Sequence, residues 1–378
     1  MSRRESRPSR LVETYFRLAP VTVPIYAIAV AVILGSLVML ATGADPIEAY
    51  RALLSGAVGS PGAIAQSLGR SIPFILAALA VAYGFKAGLF NIGVEGQLLI
   101  GALAGAWAGT WGWLAGASGV VAASVVLLAG VAGGCAWGGI PGVLKTRTGA
   151  HEVIVTIMLN AIAIRLVDFL VNSRSPVILL DTAASNPHTR PIAAAARLPI
   201  LVGGSSLHLG FLIALVLCAL VWFQLYRTTP GFEIRTVGTN PNAARYAGMN
   251  VSTTVVSVLT VSGAIAGLAG AGEVAGSAAG YLTAGVFRNI GFDSIAIALL
   301  ARANPFAVVP AALLWGALLS GAPLMQLEAG VSIDIVRIVQ ALIILFVAAD
   351  AIVRFLFRIR RAREADIEEP VFATGWGA

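Results

Sequence analysis

Charge is scarce in this chain, and that scarcity excludes an ordinary soluble protein. Only 11% of the 378 residues are Asp, Glu, Lys or Arg, whereas 58% are hydrophobic. A soluble domain averages about 25% charged residues. The chain has too little polar surface to keep a protein of this size in water, so we expect most of it to lie in a lipid bilayer.

Cysteine and histidine are also rare. The two cysteines, Cys135 and Cys218, lie within apolar runs, which favours buried, inert thiols over a disulfide framework. The three histidines, His151, His188 and His208, are scattered, and no Ser/His/Asp arrangement is convincingly spaced. No G-x-x-x-x-G-K-[ST] phosphate-binding loop occurs. We therefore expect no catalytic residues, no metal site, no cofactor and no ATP hydrolysis by this chain itself.

Long apolar runs dominate what remains. A helix needs roughly 20 apolar residues to cross a bilayer, and we count about ten candidate runs by this criterion. They lie near residues 21–41, 71–87, 97–116, 119–140, 153–171, 207–226, 253–275, 291–303, 306–322 and 334–353. They lack the alternation typical of a β-barrel. The sequence predicts an all-α, polytopic membrane helical bundle, with external loops over 42–70 and 172–206.

The basic residues indicate how the bundle is oriented. The net charge is +7, and its basic residues precede the first run, follow the last, and fall in two internal loops. With an even number of spans all of these segments share one side, which the positive-inside rule identifies as the cytoplasm. The charge therefore indicates membrane topology rather than nucleic-acid binding. We expect cytoplasmic tails over residues 1–20 and 354–378, flanking a membrane domain over 21–353.

Glycine recurs at four-residue spacing within the runs. This pattern lets helix backbones approach closely in lipid and predicts tight helix packing. The stripes are Gly101, Gly105 and Gly109; Gly130, Gly134 and Gly138; and Gly272, Gly276 and Gly280.

A short polar motif occurs twice. Asn91-Ile-Gly-Val-Glu95 is echoed by Asn289-Ile-Gly-Phe-Asp293, and each copy interrupts apolar sequence. Paired polar interruptions in two halves of a membrane protein point to broken helices at a transport pathway. Such breaks are tolerated only beside protein or a water-lined cavity. We therefore expect two related halves, each with a broken helix.

The role of the polar residues stays open at this point. Glu95 and Asp293 could cap the helices that follow them, line the pathway, or couple a conformational change. Glu273 stands alone in an apolar run and is a candidate to face the bundle interior. The expected pathway residues are Phe90, Asn91, Glu95, Gln97, Glu273, Asn289 and Asp293.

The internal loop 227–252 is more patterned than a connector requires. Asn240 can cap a short helix, Pro241 fits its first position, and Gly248 can end it. Exposed small residues on that helix would suit the groove of a partner protein, whereas a loop packed on the bundle is the alternative. The residues expected to contact the partner are Gly231, Arg235, Asn240, Ala243, Ala244 and Gly248, and Ala243, Ala244 and Ala247 are expected to be exposed.

The segments 88–97 and 231–248 resemble the permeases of bacterial ABC importers for branched-chain amino acids and simple sugars. The first segment, with its glutamate, most resembles the nucleoside-uptake branch. The resemblance implies a multi-pass subunit of the bacterial cytoplasmic membrane that translocates nucleosides. It also implies three partners, namely an ABC ATPase that docks on the loop 227–252, a second related permease, and a substrate-binding lipoprotein.

Other functions remain open from the sequence. The chain could be an ABC permease for simple sugars, and neither a purine nor a pyrimidine nucleoside is singled out. It could also be an ion-coupled secondary transporter that works alone, with Glu95, Glu273 and Asp293 as proton carriers. A membrane enzyme is disfavoured because clustered histidines and paired acids are absent.

Overall fold

A computed structural model describes residue 26 and residues 28–283, 285 and 289–348. The predicted tails, 1–20 and 354–378, lie outside these residues. The described chain is helical and contains only isolated β-bridges besides its helices. The α-helices are α1 Ile28–Ala41, α2 Pro46–Val58, α3 Pro61–Lys86, α4 Val94–Gly109, α5 Gly119–Thr148, α6 Glu152–Asn172, α7 Gly210–Arg227, α8 Thr229–Thr239, α9 Pro241–Tyr246, α10 Val251–Gly276, α11 Ile290–Leu300, α12 Pro305–Ala329 and α13 Ile333–Ala348.

Every predicted apolar run overlaps a helix, but the helices differ in length. Among the described residues, 6 helices are long and apolar enough to cross a membrane, namely α3, α5, α6, α7, α10 and α12. The other four runs contain the shorter helices α1, α4, α11 and α13. The helical membrane bundle is thus confirmed, whereas ten crossings and cytoplasmic termini stay predictions.

The stretch 42–70, expected to be an external loop, is largely helical, and the side of the membrane on which it lies stays a prediction. This stretch holds α2 and the first turns of α3, which begins at Pro61. Ser60 caps α3, because its Oγ accepts a hydrogen bond from the backbone N–H of Ala63 at 3.1 Å. Pro61 then occupies the first helical turn, where its missing N–H is not needed. A Ser-Pro-Gly sequence that suggests a loop is here a helix start.

The chain divides into two compact units, each described by itself. The first comprises the described residues up to Leu53 and from Ala322 onward. In it, the hydroxyl of Tyr50 donates to the carbonyl oxygen of Val32 at 2.9 Å. The second unit, Leu54–Gly321, contains both repeated motifs and the loop between α7 and α10.

Glycine contacts define the core of the second unit. A Cβ built on Gly134 of α5 would overlap the carbonyl oxygen of Gly263 in α10. A Cβ on Gly101 of α4 would likewise overlap the backbone of Gly267. Two of the three predicted stripes therefore pack α4 and α5 against α10. The third stripe does not pack two helices together. Among the described residues a Cβ on Gly272 would meet nothing within 4 Å, a Cβ on Gly276 would overlap the His208 ring, and Gly280 lies beyond the end of α10. Helix α10 uses Gly263 and Gly267 instead.

Candidate translocation site

The first motif lies in a break between two helices, as predicted. α3 ends at Lys86 and α4 begins at Val94. Gly88 adopts a φ of 68°, a left-handed conformation that glycine tolerates without strain. The chain then turns back along α3, since the backbone N–H of Leu89 donates to the carbonyl oxygen of Gly84 at 3.1 Å. The motif is therefore folded into the bundle rather than extended from it.

Asn91 is the centre of a buried polar network. Its Nδ2 donates to Ser262 Oγ at 2.8 Å and to Gln97 Oε1 at 3.0 Å. Gln97 Nε2 donates back to Asn91 Oδ1 at 3.2 Å, and Ser262 Oγ donates to the carbonyl oxygen of Ala80 at 2.7 Å. Asn91 is 0% exposed and Gln97 is 1% exposed. Because an unpaired polar group costs about 1–3 kcal/mol when buried, this closed network fixes the break to α3, α4 and α10.

A second asparagine, Asn160 of α6, supports the same break. Its Oδ1 accepts from the backbone N–H of Gly96 at 2.8 Å, and its Nδ2 donates to the carbonyl oxygen of Ile92 at 2.9 Å. One amide therefore pairs with the backbone on both sides of Val94, where α4 starts. Asn160 was not among the residues expected at the pathway. The sequence feature that could have pointed to it is an amide side chain in the middle of an apolar run.

Glu95 joins the two copies of the motif. Its Oε1 accepts from the backbone N–H of Asn289 at 2.8 Å, and its Oε2 accepts from that of Gly291 at 2.6 Å. Asn289 and Gly291 flank the start of α11, so the carboxylate satisfies N–H groups that a helix N-terminus leaves unpaired. A Cβ on Gly291 would overlap the backbone of Glu95, so only glycine permits this approach. The repeated motifs are thus in direct contact.

The two short helices leave this contact toward opposite ends of the bundle. At the far end of α4, the carbonyl oxygen of Gly109 accepts from Ala193 in the long loop before α7. The chain after α11 instead brings Phe306 to Trp222, with ring centroids 5.5 Å apart, near the end of α7 that leads into α8. The contact lies deep in the bundle, because Ser262, which accepts a hydrogen bond from Asn91 of the first motif, is near the midpoint of α10. Two opposed half-helices therefore meet by their positive N-terminal ends deep in the bundle, with a carboxylate between them.

Two further predicted pathway residues lie near this contact in sequence. Phe90 is half-buried, and its ring centroid is 5.1 Å from that of Phe85 at the end of α3. Asp293 is half-buried in the first turn of α11, where its backbone N–H donates to the carbonyl oxygen of Asn289 at 2.9 Å. Its position in the first turn suits the helix dipole, as the second motif suggested.

Glu273 does not join the network. It lies eleven residues beyond Ser262 on α10, about 16 Å along the helix. Its Oε1 is 4.0 Å from Nε2 of His208, and its side chain is 25% exposed. His208 Nδ1 accepts from the backbone N–H of Gly210 at 3.1 Å, so the proton of the neutral ring is on Nε2 and faces the carboxylate. Among the described residues, none donates a hydrogen bond to the Glu273 carboxylate.

The loop between α7 and α10 forms two helices. Asn240 closes α8, its backbone N–H donating to Thr236, and it opens α9, its Oδ1 accepting from Asn242 and Ala243 at 3.0 Å each. Pro241 takes the first position of α9. Gly248 follows with a φ of 82°. The predicted cap, first residue and terminator are confirmed, and α8 is an additional helix.

Three predicted contact residues of this loop face inward. Ala244 is 0% exposed, so the expectation that it is exposed is wrong. It lies on the face of α9 that packs against the protein, while Ala243 faces outward. Gly231 is pressed against α7, since a Cβ there would overlap the carbonyl oxygen of Gln224. The guanidinium carbon of Arg235 lies 5.1 Å from the centre of the Tyr226 ring, which holds α8 to α7.

Tyr246 is the most exposed large hydrophobic side chain of the loop, and it was not among the residues expected to contact a partner. It is 94% exposed at the last residue of α9. Ala243, Arg245 and Ala247 are exposed around it. An exposed tyrosine beside an exposed arginine is typical of a protein-binding surface, because both residue types are enriched among those that dominate binding.

Comparison with known proteins identifies the family. Residues 63–348 match the family model described as branched-chain amino acid transport system / permease component. The guanosine ABC transporter permease protein NupP of Bacillus subtilis is 40% identical over 90% of this chain and 96% of its own length. The nucleoside ABC transporter permease protein NupB of Lactococcus lactis is 35% identical over 91% of this chain and 95% of its own.

A third relative differs in its solute. The glucose ABC transporter permease protein TsgB13 of Haloferax volcanii is 34% identical over 94% of both chains. No solved structure matches this chain. The matched model and relatives cover most of the sequence, including both motifs and the α8–α9 loop. This multi-pass membrane protein therefore belongs to the branched-chain amino acid transport system permease family, and it is a transport subunit rather than an enzyme.

Proposed function

We propose that this chain is a permease subunit of an ATP-driven importer of nucleosides in the cytoplasmic membrane, with both termini on the cytoplasmic side. The observation that carries the proposal is the contact of the two motifs, in which Glu95 holds the start of α11. Opposed half-helices that meet deep in a bundle are the arrangement around which transporters alternate access. Two relatives named for guanosine or nucleosides support the solute.

The pathway is proposed to run past this contact, with the predicted residues in different roles. Asn91, Gln97 and Glu95 are bonded to the protein, so they shape the pathway by holding the half-helices. Glu273 is suited to contact solute, because its partly exposed carboxylate can accept hydrogen bonds from ribose hydroxyls. Phe90 offers an aromatic face, which could stack on a base.

The energy is proposed to come from partners. An ABC ATPase would dock on α9 and its exposed Tyr246, and a second related permease and a substrate-binding lipoprotein would complete the importer. A docked ATPase that prefers one conformation of the bundle with ATP bound and another after hydrolysis shifts the population in each direction in turn, and ATP hydrolysis supplies the free energy for this alternation. The α8–α9 loop would then be the surface through which that shift reaches the membrane helices.

A transport assay tests the proposal and its main alternative. The chain is reconstituted in proteoliposomes with its cognate ATPase, companion permease and binding protein, and uptake of labelled guanosine is measured with and without ATP. We expect ATP-dependent uptake that unlabelled nucleosides abolish and excess glucose leaves unchanged. Competition by glucose alone would instead favour a sugar permease, as the relative named for glucose allows.

The role of Glu273 is tested by Glu273→Gln in the same assay. Loss of a charge-assisted hydrogen bond, worth about 1.5–3 kcal/mol, should lower the rate of nucleoside uptake about tenfold or more. ATPase binding should not change. Glu48→Gln is the matched control, since Glu48 is exposed on α2. Wild-type uptake by Glu273→Gln would show that Glu273 does not contact the solute.

The docking surface is tested by two substitutions on the exposed face of α9. Tyr246→Ala removes an aromatic ring, and Ala243→Trp adds one. Both should weaken ATPase binding, the first by about 2 kcal/mol or more if Tyr246 is an anchor. Trp113→Ala is the control, because Trp113 is 55% exposed and lies just beyond α4. Unchanged co-purification of the ATPase with both α9 variants would refute docking at this surface.

A further inference from the structure

Gly238, the penultimate residue of α8, lies directly on the loop that leads into the first motif. A Cβ built on Gly238 would be 2.9 Å from the carbonyl carbon of Ala87 and 2.9 Å from the backbone N of Gly88, and would overlap the carbonyl oxygen of Lys86. From the other side, a Cβ on Gly88 would be 3.1 Å from the carbonyl oxygen of Gly238. The two backbones touch with no side chain between them.

The loop side of this contact connects to the helix break. Only two residues separate Gly88 from Asn91, and Leu89 between them is 0% exposed. Asn91 is bonded to Ser262 and Gln97, and Glu95 lies four residues further along and holds α11. Because buried, close-packed groups move together rather than independently, a displacement of Gly88 must alter this network or be resisted by it.

The other side of the contact leads to α9. Only Thr239 and Asn240 separate Gly238 from Pro241, and Asn240 is bonded in both helices, so no unrestrained residue lies between them. The start of α8 is fixed as well, since Thr228 Oγ1 donates to the carbonyl oxygen of Gln224 at 2.6 Å. α8 is therefore held at α7 and ends against the loop 86–88, and it is positioned to carry a movement of α9 into that loop.

We propose that the contact of Gly238 with Gly88 couples the state of the docked ATPase to the broken helix between α3 and α4. This inference rests on the proposed function, and it assigns Gly238 and Gly88 as positioning residues that touch neither solute nor ATPase. A bound ATPase that shifts α9 moves Gly238. Gly238 moves the loop 86–88, and the network around Asn91 changes the position at which Glu95 holds α11. Backbone-to-backbone contact suits this role because no side-chain rotamer can absorb the movement.

The test is a graded series of substitutions measured in the reconstituted importer. Gly62→Ala is the control, because Gly62 is in α3 and a Cβ there comes no closer than 3.8 Å to another group. Gly88→Asn adds a mild obstruction, since Asn tolerates the left-handed conformation and the nearest atom is at 3.1 Å. Gly238→Ala adds a severe one. The readouts are ATPase binding, ATP hydrolysis, thermal stability, and the number of nucleosides transported per ATP hydrolysed.

We expect transport per ATP to stay normal in Gly62→Ala, to fall in Gly88→Asn, and to fall about fivefold or more in Gly238→Ala. ATPase binding and hydrolysis should persist in all three, which a purely structural role would not predict. Wild-type transport per ATP in folded Gly238→Ala would overturn the inference, and so would loss of ATPase binding as its first effect. If Gly238→Ala does not fold, Gly88→Asn decides by the same criterion. Absence of ATP-dependent uptake by the wild-type importer would instead refute the proposed function.

Discussion

Replacing Glu95 by Gln removes one of the two carboxylate oxygens that hold the start of α11. In the native protein these oxygens accept from Asn289 at 2.8 Å and from Gly291 at 2.6 Å, and the side chain is 0% exposed. Glutamine keeps one acceptor, but its NH₂ group then faces a backbone N–H. One hydrogen bond to a charged group, about 1.5–3 kcal/mol, is lost, and one buried N–H is left unpaired at about 1–3 kcal/mol.

We therefore expect Glu95→Gln to destabilise the protein by about 2–5 kcal/mol. Unfolding carries an entropy of about 2.1 cal/mol/K per residue, so for a chain of 378 residues 1 kcal/mol corresponds to roughly 1 °C in Tm. An apparent Tm a few degrees lower should be measurable in detergent or nanodiscs. Nucleoside uptake should also fall at temperatures where the variant is still folded, because α11 loses its fixed start. The control is Glu48→Gln at an exposed site. If Glu95→Gln retains both wild-type Tm and wild-type uptake, the contact between the two motifs does not hold them together.

Three further changes test other parts of the structure. Asn160→Leu leaves the N–H of Gly96 buried without a partner and should lower stability by about 2–4 kcal/mol, read as a fall in apparent Tm; no fall would mean that α4 does not depend on this amide. Gly134→Ala should destabilise the bundle because its Cβ overlaps α10. Gly272→Ala should not, because its Cβ would meet none of the described residues within 4 Å; equal Tm values for the two variants would contradict the glycine packing. Asn240→Ala removes a helix cap worth about 1 kcal/mol and should weaken ATPase binding with little change in Tm; unchanged binding would argue against an ordered α9 as the docking element.

The local features of this protein could be predicted from sequence. The break at Asn91 follows from an amide, a glycine and a carboxylate that interrupt apolar sequence, and the cap at Asn240 follows from an Asn-Pro pair. Both depend on residues close together in the chain. The prediction failed at Ser60-Pro61, because the same residues favour a loop or a helix start and only the following apolar turns distinguish them.

The tertiary features could not be predicted. Nothing in the sequence shows that Glu95 contacts Asn289, because the two residues are nearly two hundred positions apart. The Glu95 carboxylate also accepts from a backbone N–H rather than from a charged side chain, so no complementary charge indicates the pairing. The use of Gly263 rather than Gly272 in packing depends on which face of α10 meets α5. Likewise, Tyr246 is exposed only because its short helix turns Ala244 inward. Such contacts depend on the whole fold.

The most direct test of the account is nucleoside accumulation in proteoliposomes, with the chain supplied alone or with its cognate ATPase, companion permease and binding protein. The account predicts no accumulation by the chain alone under any ionic gradient, and ATP-dependent accumulation by the full set. Concentrative uptake by the isolated chain, driven by a proton or sodium gradient, would contradict it.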